Sequence, residues 1–171
     1  MYASPDPSVI LQGDILEEFI FIRRLDGPDT VDPEVSNRAV DTFVETEAKI
    51  QVRKVKAIIA TQACDADRRD FVLVCPIFNI IENEDDLRDK GNTPTQIVSK
   101  LASLRGQKLG YYYYLEKSEQ FGIDESYADL TSMISIKRDD LSQYTRLASI
   151  NDYPRHILAY KLGVLFLRPA K

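Results

Sequence analysis

Apolar residues fall in short runs separated by polar turns, a pattern of strands more than of long helices. Val9-Ile10-Leu11 leads through Gln12-Gly13-Asp14 into the apolar stretch from Ile15 to Ile22, which reads as a strand with a glycine break. Lys56 to Thr61 and Phe71 to Ile77 are rich in apolar and β-branched residues, and Asp65 to Asp70 between them is polar. Together they predict a β-hairpin buried on both faces, hence central to a sheet. A turn centred between Asp67 and Arg68 places Cys75 opposite Ala60, which keeps it away from Cys64.

The middle of the chain changes period. Thr93 is placed to cap a helix, Pro94 suits its first position, and Gln96 completes a T-x-x-Q capping box. Ile97, Leu101 and Leu104 then share one face, and Gly106 ends the helix. Strands resume at Leu109 to Leu115 and around Met133 to Ile136. A second helix runs from Asn151 as cap through Leu167. Strands, a crossing helix, strands and a terminal helix, without regular βαβ alternation, predict an α+β fold around an antiparallel sheet or small barrel.

The chain has 171 residues, 44% apolar and 29% charged, with a formal net charge of −5. This is the size of one domain, able to bury a core without metal or disulfide. No apolar run approaches the roughly 18 residues of a membrane span, and the N-terminus lacks the pattern of a signal peptide, so a cytoplasmic protein is expected. Two cysteines without CxxC spacing suit a reduced compartment, and one histidine, His156, excludes a two-histidine metal site within the chain. No metal and no cofactor is expected. The acidic balance disfavours duplex DNA. The acidity gathers in Leu25 to Arg38, read as a long exposed loop, and in Glu82 to Asp89.

Candidate chemistry is sparse. Arg53, Lys54 and Lys56 form the densest basic cluster, suited either to an anionic partner or to protecting a strand edge from aggregation. Arg68 and Arg69 add positive charge at the hairpin turn, where Asp65, Asp67 and Asp70 offset it. The two arginines oppose a reading of those aspartates as metal ligands. Tyr111 to Tyr114 invites a base-stacking platform through Tyr112, but alternation lets only two of the four share a face, and one pair in the core is the simpler reading. Cys64 lacks a neighbouring base in sequence, and a buried structural role is expected for both cysteines.

The order of elements resembles the PemK/MazF family of toxin-antitoxin toxins. Gly13-Asp14-Ile15-Leu16 resembles its opening strand. Ala57-Ile58-Ile59-Ala60-Thr61 and Val74-Cys75-Pro76-Ile77 resemble its central strands, and Ser135-Ile136 through Arg146-Leu147 resembles its closing strand before a terminal helix. The resemblance implies an SH3-like small antiparallel barrel, often a homodimer, and metal-independent cleavage of single-stranded RNA in active members. On this alignment the chain is a single domain, with an acidic loop insertion at about 25–38 and a helical insertion at about 82–107. Val55 stands where the family has its catalytic arginine, Lys56 where it has proline, and Phe78 where it has a catalytic threonine or serine.

The expectation is therefore a MazF-like barrel without nuclease chemistry, acting on an antitoxin-like or regulatory protein partner in a bacterial defence setting. One alternative is an endoribonuclease using Arg53 or Lys54 from a shifted register, helped by Thr61 or Asn79, with RNA as its partner. A second is an oligonucleotide-binding barrel using the tyrosines.

Overall fold

The computed structural model describes residues 1–24, 50–66 and 68–167. The acidic stretch Leu25 to Arg38 and Asp67 lie outside the described residues. The chain forms two compact units, Met1–Phe19 with Val55–Lys171, and Ile20–Lys54. The smaller unit holds the ends of two strands, where Phe21 is buried while Ile20, Ile22 and Val52 are exposed.

The fold is mixed α+β around an antiparallel sheet. Its strands are β1 (Tyr2–Ala3), β2 (Asp14–Arg24), β3 (Ile50–Ile59), β4 (Phe71–Asn79), β5 (Tyr112–Leu115), β6 (Ser126–Asp129), β7 (Ile134–Lys137) and β8 (Arg146–Ile150). They run in the order β1-β8-β2-β3-β4-β6-β5, with β7 also paired to β4. The helices are α1 (Ala63–Ala66), α2 (Ile80–Asp89), α3 (Pro94–Arg105) and α4 (Asp152–Phe166), with a 3-10 turn at Arg138–Gln143.

β4 is central, as its nearly continuous apolar sequence requires. It pairs with β3 on one side, Ile58 opposite Cys75. On the other, β6 meets its second half and β7 its first. The hairpin register differs by two residues from the sequence expectation, because the connection contains the single helical turn α1 and its centre falls one residue earlier. A shift of two preserves which side chains share a face, so the core assignment survives. Ile15, Ile58, Cys75, Tyr113, Leu115 and Ile150 pack with Leu158 and Leu162 of α4 as the main core.

Gly13 adopts φ +92°, the region that glycine enters without penalty, and a Cβ there would lie 2.2 Å from Ile150 Cγ1. The glycine break before β2 is thus both a backbone and a packing requirement. The next residue, Asp14, is fully buried and accepts a hydrogen bond from Arg146 Nη1 at 3.1 Å.

α3 forms as the capping box dictates. Thr93 Oγ1 accepts from Gln96 N, Gln96 Oε1 accepts from Thr93 N, and Ile97, Leu101 and Leu104 are buried. The acidic stretch before it is also helical, as α2, with Asn79 Oδ1 accepting from Ile81 N at its start. Leu104, Ile80 and Tyr127 form a second cluster with Phe78, Tyr112 and Tyr114.

β5 lies at the end of the strand order, yet its main chain is fully engaged. Tyr114 N donates to Gln107 Oε1 and Gln107 Nε2 donates to Tyr114 O, so one side-chain amide stands in for a neighbouring strand. Tyr112 N donates to Leu109 O, and Lys161 Nζ donates to Tyr112 O. Gln107 itself sits at φ +56°.

Candidate functional site

The hairpin connection builds one side of a cleft. Ala60 N donates to Leu73 O at 2.8 Å, and Thr61 Oγ1 accepts from Leu73 N at 2.7 Å, extending the β3–β4 ladder by a side-chain rung. The Gln62 carbonyl then accepts from Asp65 N and Ala66 N and starts α1, while the Asp65 carbonyl accepts from Arg68 N and Arg69 N. This folding places both arginines on the rim. Arg69 Nε lies 3.8 Å from Asp65 Oδ1, a loose exposed pair worth little in water. The Arg68 side chain is exposed and has no partner among the described residues.

α4 supplies the facing side. Ala159, Leu162, Gly163 and Phe166 recur at helical spacing and line a cleft of about 770 Å³ with Phe71 and Leu73 of β4. That volume matches small-molecule and short-peptide sites, which run roughly 300–1,000 Å³. Phe71 is 52% exposed and Phe166 62%, so two aromatic rings stand at the opening. A glycine inside a helix costs about 1 kcal/mol relative to alanine, and a Cβ on Gly163 would meet nothing within 4 Å. Its lack of a side chain leaves this stretch of the cleft open.

Gln12 is also part of the lining and only 5% exposed. Its Nε2 donates to Ala60 O at 2.6 Å, and its Oε1 has no partner among the described residues. Arg155 fixes this segment by donating from Nε to Gln12 O and from Nη2 to Ile150 O. The cleft therefore combines an apolar floor, a buried amide and a rim that carries Arg68, Arg69, Asp65 and Asp70.

Of the residues singled out from the sequence, Thr61, Arg68 and Arg69 come together here. Asn79 caps α2. Lys56 is half-buried opposite Ile77, and the adjacent Val55 is likewise half-buried. Tyr112 packs against the Tyr127 ring, with centroids 4.8 Å apart and planes tilted by 59°, and is half-buried in the second cluster. Arg53 and Lys54 are exposed in the smaller unit. Cys64 is exposed and Cys75 buried, both as free thiols, so the structural, buried expectation holds for Cys75 alone. His156 is exposed on α4.

Gln12, Phe71, Gly163 and Phe166 were not signalled as site residues by sequence. The interior glycine of α4 is the one local signal that could have pointed there, since nothing in helix formation calls for it.

Among the described residues no group of three or more His, Cys, Asp or Glu could hold a metal ion, and no helix is long and apolar enough to cross a membrane. No protein-family model matches the chain, and no curated protein matches it in sequence.

Proposed function

We propose that the chain is a partner-binding module on a MazF-like, SH3-type small barrel, recruiting a protein segment in a bacterial defence or toxin-antitoxin setting. The observation that carries this reading is the cleft between the β3–β4 connection and α4, apolar in its floor and charge-balanced at its rim. Interface centres are enriched in aromatic residues and arginine, the groups that Phe71, Phe166 and Arg68 present here.

The positions that the family resemblance marks for catalysis hold Val55 and Phe78, neither able to donate a proton or stabilise a phosphorane charge. Thr61, the hydroxyl nearest the arginines in sequence, has its oxygen engaged by Leu73 N. Polyanionic RNA is disfavoured by Asp65 and Asp70 on the same rim as the arginines, since phosphate binding draws on accumulated positive charge.

The test is incubation of the purified chain with mixed-sequence single-stranded RNA under conditions in which an active toxin cuts it. The RNA is expected to stay intact. Site-specific cuts that vanish in Arg53→Ala or Lys54→Ala would overturn the proposal in favour of the endoribonuclease.

A further inference from the structure

We infer that the cleft selects a short peptide carrying one large apolar side chain and a single nearby carboxylate. The inference rests on the partner-binding reading and adds the chemistry of the partner. The apolar side chain enters between Phe71, Leu73, Leu162 and Phe166, where Gly163 leaves the space for it. The carboxylate meets Arg68, whose guanidinium lies on the rim without an ion-pair partner among the described residues and offers a planar fork for bidentate contact.

The other charges set the limit on the ligand. Arg69 already faces Asp65 at 3.8 Å, and Asp70 adds a further negative group to the lining. A second acid on the peptide would meet these carboxylates, so a single negative charge fits better than a polyanion. Gln12 Oε1 and the Gln62 amide supply sites for peptide N–H and C=O groups, which an apolar pocket alone would leave unpaired.

The experiment pans a random heptapeptide display library against the full chain and measures the recovered peptides by fluorescence anisotropy. Recovered sequences should pair one Asp or Glu with a nearby Leu, Ile, Phe or Met. Arg68→Glu should weaken them at least tenfold and, when panned itself, select Lys or Arg at the acidic position. Gly163→Phe, which fills the cleft from a helix position with free space and improves helix propensity, should abolish binding while leaving the circular dichroism spectrum unchanged. Phe166→Ala, an exposed position, should weaken binding several-fold.

Recovered peptides without acid enrichment, or peptides indifferent to both Arg68→Glu and Gly163→Phe, would overturn the inference while leaving a partner-binding module elsewhere on the surface. A uridine 12-mer that binds and is lost in the same variants would overturn it by giving the cleft to nucleic acid. RNA cleavage by the unmodified chain removes the underlying functional reading instead, so the two failures are told apart.

Discussion

Lys161 Nζ donates to the main-chain carbonyl of Tyr112 at 2.7 Å from a position in α4 that is 5% exposed. The same ammonium donates to Gln107 O at 2.9 Å and Leu109 O at 2.6 Å. One buried charge thereby ties the terminal helix to the whole connection between α3 and β5. Burial pushes its pKa down from 10.5 to about 8. The carbonyl dipoles favour the charged form, but desolvation dominates.

Lys161→Met keeps the stem's volume and leaves three carbonyls without their donor. An expected loss of about 2–3 kcal/mol follows from unsatisfied buried acceptors. At this chain length that is a fall in Tm of about 5–10 °C, read by calorimetry at pH 7. A variant as stable as the parent would show that the connection is held by other contacts.

The same lysine gives stability a pH dependence of defined sign. Its folded pKa lies below its unfolded value, so between about pH 8 and 10.5 the unfolded chain holds the extra proton. Its contribution to unfolding free energy therefore rises with pH across that window and is flat below it. Denaturant titrations from pH 7 to 10.5 should show the difference between parent and Lys161→Met growing with pH.

Glu125 titrates in the opposite region. Arg105 donates to both its oxygens, at 2.7 and 2.9 Å, and Tyr114 Oη donates to Oε1 at 2.7 Å. The Arg105 hydrogen bond holds its pKa below the usual carboxylate value, with the Tyr114 bond assisting against desolvation. The contribution is present above pH 4.5 and lost as pH falls through the lower folded value. Glu125→Gln should flatten the acid limb of stability below pH 4.5, measured by urea midpoints.

Gly13→Ala should be severe. The new Cβ would overlap Ile150 Cγ1 and Cδ1 at a backbone angle unfavourable to L-residues. Strain and overpacking together are worth more than about 3 kcal/mol. Ile150→Val in the same chain removes Cδ1 but keeps Cγ1, so it should recover only part of this, the Cγ1 overlap and the backbone term remaining; full recovery would assign the cost to the Cδ1 contact alone.

The thiols should separate cleanly. Cys64 is exposed, whereas burial pushes Cys75 up to about 12. A disulfide-exchange reagent at pH 8 should titrate one thiol in the native chain and a second only after denaturant is added. Two fast thiols would mean that β4 opens readily.

How much of this was legible depended on how local each signal is. α3 was readable residue by residue because Thr93, Pro94, Gln96 and Gly106 act within a turn of their own position. The β3–β4 hairpin was readable in kind, but its register was not, since α1 forms from backbone bonds to the Gln62 carbonyl that leave little mark in composition. β6 was missed because Ser126 to Asp129 is short and polar at both ends. α2 was read from its own residues as an acidic stretch, because Glu82 to Asp89 carries few apolar residues to mark a buried face, and it was expected to be helical only as part of the insertion at about 82–107.

The cleft was least legible of all. Its arginines were noticed, but Phe71 and Phe166 read as ordinary strand and helix residues until the fold brought α4 across the hairpin. Lys161 likewise carried no signal in the sequence beyond its place within a helix. Only long-range packing turns such a residue into a buried tie.

The amide of Gln107 at the β5 margin has a consequence for assembly. With Tyr114 matched by that side chain and Tyr112 by Leu109 and Lys161, the sheet carries its own terminator. Lateral growth past β5 requires first stripping at least four hydrogen bonds, three made by the connection before β5 and one by Lys161 of α4, which makes strand-by-strand polymerisation on that side an activated event rather than a spontaneous one.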